Sequence, residues 1–265
     1  MSKTVFITGI SRGIGKTIAE ECLKKGYTVI GTCRKPESVS DKLEGTEYLP
    51  LDMSDEKSIE ACWEQLKDRK IDVLVNNAGQ SQIGPVEETP MEKYRYLFEV
   101  NFFGIIKLTQ YFLPQMRERR SGTIINIGSL TGRFPLPYYS SYCATKFALS
   151  GYSQSLRSEM IDFGVKVVLI EPNDIKTTIV PDFNCREEAE YFPYADNIRQ
   201  SVKAKMSVAD STTKISDKVM FAIESAKTNP VYVAGGNASF MAFIQRVIPR
   251  SLAEKVIRKT YGLGK

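Results

Sequence analysis

Thr4-Val5-Phe6-Ile7-Thr8-Gly9-Ile10-Ser11-Arg12-Gly13-Ile14-Gly15 opens the chain and decides its fold. Residues 5–8 are apolar without polar alternation, as expected of a parallel strand covered on both faces. Residues 14–25 then place apolar side chains at helical spacing. The turn between them, G-x-x-x-G-x-G, lets backbone approach a pyrophosphate and points the N-terminus of the next helix at it. A strand-to-helix turn whose glycines serve packing alone is the competing reading.

The same alternation recurs along the chain. Apolar runs at 28–33, 47–51, 71–76, 123–127, 165–171 and 231–234 read as further buried strands. Helical spacing lies between them at 55–68, near 91–119, near 141–163 and at 214–228. Strand and helix in turn require right-handed crossovers, which predicts an α/β fold with a single doubly wound parallel sheet. Residues 172–213 fit neither period. With Phe183, Tyr191, Phe192 and Tyr194 they read as a substrate lid. Residues 1–236 are thus expected to form the catalytic domain, and 237–265 a basic amphipathic helical extension.

Composition narrows the chemistry. The 265 residues include no histidine, which excludes a Ser-His-Asp triad, a Cys-His pair and an H-E-x-x-H zinc site. Proton transfer must rest on Tyr, Lys, Cys, a carboxylate or a cofactor. Cys22, Cys33, Cys62, Cys143 and Cys185 lie far apart without C-x-x-C spacing, so neither a metal site nor a disulfide framework is expected, and a cytoplasmic setting is. The N-terminus runs directly into the first strand, with no room for a signal peptide. Residues 97–113 are interrupted by Glu99, Asn101, Lys107 and Gln110 and do not read as a membrane span.

Charge is unevenly placed. Arg246, Arg250, Lys255, Arg258, Lys259 and Lys265 face Glu254 alone in residues 240–265, so the tail carries the whole net charge of +5. A neutral body with one short basic tail lacks the footprint of a nucleic-acid binder. Phe240, Ile244, Val247, Ile248, Leu252, Val256 and Ile257 recur at helical spacing in the tail, broken at Pro249. Such a helix can rest on an anionic membrane, cover the active-site entrance, or simply pack on its own domain.

Further motifs fall at the carboxyl ends of the predicted strands, where open α/β sheets bind ligands. The second strand ends in Thr32-Cys33-Arg34-Lys35 where an acidic residue would bind the ribose of NAD. A guanidinium there suits a 2′-phosphate, and Arg12 can reach the same group, so NADP(H) is favoured over NAD(H). Asn76-Asn77-Ala78-Gly79 can line an adenosine-ribose wall. Tyr142-Cys143-Ala144-Thr145-Lys146 puts a phenol and an ammonium on one helical face, at i and i+4. A free phenol titrates near about 10, and a neighbouring cation lowers that value. Ser129, following the strand at 123–127, can hydrogen-bond a substrate carbonyl.

In this order the motifs TGISRGIG, NNAG, EVNFFG, INIGS and YCATK resemble the short-chain dehydrogenase/reductases, over about residues 3–235. The resemblance implies a Rossmann-type domain binding NADP(H), with Asn101, Ser129, Tyr142 and Lys146 as catalytic tetrad. It implies cofactor contacts from Gly9, Ser11, Arg12, Gly13, Ile14, Gly15, Arg34, Asp52, Met53, Asn77, Ala78, Gly79, Tyr142, Lys146, Pro172, Ile175 and Thr177. Pro172-Asn173 departs from the family's Pro-Gly, and Asn tolerates the left-handed geometry expected there. The stretch YCATKFALSGYSQSLRSEM is similar to the hydroxysteroid and retinol dehydrogenase branch. A bulky apolar secondary alcohol or ketone is therefore the expected substrate, against a wall of Phe134, Leu136 and Tyr139. The long helices near 91–119 and 141–163 resemble those through which family members form homo-oligomers. A non-catalytic NADP(H) sensor on the same fold is the competing function.

Overall fold

The computed structural model describes residues 2–177 and 179–263, with Arg246 lacking a side-chain description, so Lys265 of the basic tail lies outside the described residues. The strands in chain order are β1 (Thr4–Thr8), β2 (Thr28–Cys33), β3 (Thr46–Pro50), β4 (Val73–Asn76), β5 (Gln82–Ile83), β6 (Gly122–Ile127), β7 (Val165–Pro172), β8 (Asp182–Phe183) and β9 (Val231–Ala234). The helices are α1 (Gly13–Lys24), α2 (Glu56–Glu64), α3 (Met91–Phe98), α4 (Gly104–Glu118), α5 (Ser140–Met160), α6 (Phe192–Ser207), α7 (Thr213–Glu224), α8 (Ala238–Val247) and α9 (Arg250–Thr260). Seven strands form one parallel sheet in the order β3-β2-β1-β4-β6-β7-β9, the doubly wound Rossmann-type arrangement expected from the alternation.

Why the strands carry so little polar alternation is visible in the two cores. Side chains alternate across the sheet, so Phe6 enters one layer while Val5 and Ile7 enter the other. The first layer packs Phe6, Ile30, Leu74 and Ile124 against Cys62, Leu108, Phe112 and Leu156 of α2, α4 and α5. The second packs Val5, Ile7, Val29 and Val75 against Ile18 of α1 and Val219 of α7. Burying each such side chain stabilises the fold by about 1.5–3 kcal/mol, which makes the sheet's interior apolar on both faces.

The structure departs from the sequence pattern in two places. The helical run near 91–119 is not one helix: a π-helical turn, Glu99–Phe103, separates α3 from α4. The residue after that turn, Gly104, must lack a side chain, because a Cβ there would meet the Met53 carbonyl oxygen at 2.3 Å. Residues 172–213 are not irregular throughout, since they contain the sixteen-residue α6. Only Ala195 and Ile198 of that helix are fully buried, so its apolar stripe is too thin to read from spacing. The excursion is closed at its base, where Lys176 N donates to Asp210 O at 2.9 Å. Its first half is fastened by β5–β8 pairing and by the ion pairs Lys93–Asp182 and Arg186–Glu88.

The C-terminal segment is helical as its spacing predicts, and Pro249 starts α9 after ending the α8 run. No helix among the described residues is long and apolar enough to cross a membrane.

Candidate active site

Each strand of a parallel sheet ends on the same edge, so the turns after β1, β2, β4, β6 and β7 converge there. They enclose a cavity of about 430 Å³ that runs from Arg12 and Arg34 at one end to Tyr261 at the other. Gly9, Ser11, Arg12, Gly13, Ile14, Arg34, Asp52, Met53, Asn77, Ala78 and Gly79 line one half. Ser129, Tyr142, Lys146, Pro172, Ile175 and Thr177 line its middle. Of the expected site residues only Gly15 and Asn101 are not on the wall, because both lie behind it.

Gly15 is a packing glycine: a Cβ there would fall 2.2 Å from the Gly9 carbonyl oxygen and 2.5 Å from Asn77 Nδ2. Gly9 itself turns at φ +74, where other residues are strained. Asn77 braces this turn, its Nδ2 donating to Thr8 O at 2.8 Å and Gly9 O at 3.1 Å. Thr8 returns the support, its Oγ1 accepting from Asn77 N and Ala78 N at 3.0 and 2.9 Å. Helix α1 begins here with no side-chain cap and no acid in its first turn. Its first N–H groups and their positive end therefore face the cavity without a protein partner, as an anion site requires. Arg12 and Arg34 are exposed at the same end, and among the described residues neither joins an ion pair. The glycine turn, helix end and two guanidinium groups thus fit a phosphorylated dinucleotide.

Ser129 caps a short 3-10 turn, its Oγ accepting from Thr131 N at 3.2 Å and Thr131 Oγ1 at 2.8 Å. Because it accepts from both, its own hydroxyl proton is free for a group in the cavity. Lys146 is buried on α5 and donates to Ile127 O at 3.0 Å, with Nζ 5.6 Å from the Tyr142 ring centroid. Asn101 stands behind them in the π turn: its side chain pairs with Gln80 N and Gln80 O, each at 2.9 Å, and Nδ2 reaches Thr145 Oγ1 at 3.2 Å.

Burial sets the electrostatics. It pushes the Tyr142 phenol up to about 12, with the Ser129 hydroxyl pulling the other way, and it lowers the Lys146 ammonium to about 8. Desolvation is the larger influence on the phenol here, and the lowering expected from Lys146 together with a cationic nicotinamide concerns the enzyme with its dinucleotide bound.

Two expectations around the substrate end are corrected. The left-handed residue after β7 is Asp174, at φ +39, and not Asn173, which continues the sheet by donating its N–H to Ala234 O at 2.9 Å. Phe183, Tyr191, Phe192 and Tyr194 do not line the cavity: Phe183 packs on Phe192 at 6.2 Å, and Tyr191 and Tyr194 face outward. The segment instead contributes Ile179, Pro181 and the inner face of α6, Val202, Lys205 and Met206. Phe134, Leu136 and Tyr139 line the wall as expected.

Sequence reading missed Met241 of α8 and Tyr261 beyond α9, which reach the cavity through tertiary packing that no local motif announces. It also missed the buried ion pair between Arg133 and Glu171, which ties the turn after Ser129 to the end of β7. Gln245 Nε2 donates to Arg133 O at 3.1 Å and joins α8 to the same brace.

A family model described as short chain dehydrogenase matches residues 3–188. A 3-ketodihydrosphingosine reductase from Bacteroides thetaiotaomicron is 36% identical over 202 residues, 75% of this chain and 74% of that protein. An NADPH-dependent 3-dehydrocapnine reductase from Ornithobacterium rhinotracheale is 30% identical over 269 residues, 96% of this chain and 95% of that one. The crystal structure of a short-chain dehydrogenase from Streptomyces avermitilis superposes with a TM-score of 0.84 at 33% identity, covering 100% of both chains. Sequence motifs, sheet order, cavity and relatives agree, and the chain belongs to the short chain dehydrogenase family of oxidoreductases, which act on hydroxyl and carbonyl groups.

Proposed function

We propose that this enzyme moves hydride between NADP(H) and a bulky apolar secondary alcohol or ketone of steroid-, retinoid- or lipid-like kind. The wall beyond Tyr142 carries this reading: Phe134, Leu136, Tyr139, Val202 and Met206 offer apolar and aromatic surface on which the body of a bulky apolar substrate packs. NADPH also stands in the name of the Ornithobacterium relative, and the Bacteroides relative is named for reducing a keto compound. When bound, the dinucleotide supplies or accepts the hydride.

The chain's own residues do the rest. Ser129 donates its free proton to the substrate oxygen and fixes its position. Tyr142, kept protonated by burial, gives its proton to that oxygen during reduction and takes one back during oxidation. Lys146, which donates to Ile127 O, would hold the nicotinamide ribose, and Asn101 secures the backbone at Gln80.

Tyr142→Phe should lower kcat by a factor of about 100 to 10,000 while leaving NADPH binding, read by fluorescence, within about twofold. Retained turnover would overturn the assignment. The raised phenol pKa also has a sign. Proton balance makes the ratio of oxidation to reduction change about tenfold per pH unit, and a protonated phenol puts that change on the alcohol reaction. Between pH 6 and pH 7.5, below the Lys146 value of about 8, ketone reduction should therefore stay flat and alcohol oxidation rise. A falling reduction rate with flat oxidation would mean that Tyr142 is already ionised.

Removing the guanidinium groups in Arg12→Ala/Arg34→Ala should weaken NADPH at least about tenfold and leave NADH nearly unchanged, measured as KM for each. Equal losses for both would refute their role at the 2′-phosphate.

Surfaces complete the proposal, in which residues 1–236 form the catalytic domain and 237–265 an extension. We take the enzyme to be a cytoplasmic homo-oligomer assembled through α4 and α5, where Phe103 of the turn leading into α4 and Phe147 of α5 are exposed; a monomer in light scattering would refute this. The extension exposes Phe240, Phe243, Val247, Leu252 and Val256 beside Arg250, Lys255, Arg258 and Lys259, a face suited to an anionic bilayer. Phosphatidylglycerol vesicles should sediment the protein, phosphatidylcholine vesicles should not, and Phe240→Ser/Phe243→Ser should weaken the binding.

A further inference from the structure

The substrate half of the cavity holds a cation that the hydride and proton chemistry does not use. Lys205 lines it from the inner face of α6, half-buried between Val202 and Met206. Its ammonium donates to the Tyr261 hydroxyl at 3.0 Å and stands 4.4 Å from the centroid of that ring. Among the described residues it has no carboxylate partner. The acid on its own helix, Asp196, is taken by Arg199. The acids of the lining, Asp52 and Asp174, lie at the Ser54 bond and at the exposed turn after β7.

A half-buried ammonium with no counter-charge among the described residues is costly, and the face of one phenol ring offsets only part of that cost. The pair is nevertheless built to stay. Tyr261 is buried, and its carbonyl oxygen accepts from Asn197 Nδ2 at 2.6 Å, which pins the end of the tail to α6. Because the Tyr261 hydroxyl accepts from Lys205, its own proton remains available, as do the remaining ammonium protons. Two donors, one of them charged, therefore meet in an apolar wall and want one acceptor that bears negative charge.

We infer that Lys205 and Tyr261 form a carboxylate subsite, so that the substrate is an apolar ketone bearing a carboxylate at the end remote from the reacting carbon. This rests on the ketone reading above and adds the charged group to it. Specificity follows physically: a neutral analogue of the same length leaves the ammonium unpaired, whereas the acid satisfies it within low-dielectric surroundings.

Decanoate and methyl decanoate, which carry no ketone, test the subsite apart from turnover. Calorimetry on the NADPH-saturated enzyme, whose phosphate site is then filled, should show decanoate binding at least about tenfold tighter than its ester. Lys205→Met should erase that difference and leave ester binding unchanged. Tyr261→Phe should reduce it, and Lys203→Met, which removes an exposed charge from the same helix, should preserve it. Equal binding of acid and ester to the unaltered enzyme, or a preference that survives Lys205→Met, overturns the subsite. An intact preference with no turnover of any oxo acid or neutral ketone would strike the ketone reading and leave the subsite standing.

Discussion

Between Gly15 and the carbonyl of Gly9 there is no room for a single methyl group, and the organisation of the site depends on that closeness. It allows α1 to start directly at the end of β1, so the helix's unpaired N–H groups face the sheet's carboxyl edge. The same approach brings Asn77 against Gly9 and locks β4's exit to β1's exit through Thr8. A parallel sheet puts all its exits on one edge, but it does not by itself make them rigid. Here hydrogen bonds from one amide and one hydroxyl do so, and they act beneath the surface that a phosphorylated ligand would touch.

The Tyr142–Lys146 pair is governed by burial more than by its own proximity. Tyr142 and Lys146 are moved in opposite directions, each toward its neutral form, which is the signature of desolvation and not of mutual attraction. A phenol held protonated by burial is a competent acid, and the nearby Ser129 can polarise an oxygen without competing for that proton. The Arg133–Glu171 pair supports this arrangement from behind. Breaking such a buried pair by removing one partner costs about 3–5 kcal/mol, so it fixes the turn after β6 relative to β7 with little tolerance.

The sheet was legible because its signal is local and repeated. The inner strands of the large sheet are short apolar runs, apolar because both faces are covered, while the edge strand β3 buries only Leu49. The glycine turn and the Tyr142–Lys146 spacing were legible for a similar reason, since their geometry is set within a few residues. The π turn was not, because the residues around Asn101 keep helical spacing and the widening lies in the backbone of Glu99–Phe103 alone. The left-handed position was misplaced by one residue: sheet pairing at Asn173 claims an extended backbone, and the reversal falls on Asp174 instead.

Least legible was the substrate end, where the walls come from segments far apart in sequence. Aromatic residues of 183–194 suggested a pocket lining, yet they pack on one another or face solvent. Composition says how much apolar surface a segment carries, not where the surface points. The residues that do reach the cavity, on α6, on α8 and at Tyr261, are placed by contacts between the excursion and the tail. A helix with a thin buried stripe can be positioned that way only if something outside it supplies the missing burial. Tyr261 supplies it, which joins the tail's fold to the shape of the pocket: the same ring that docks the chain's end onto α6 also closes the cavity's far wall.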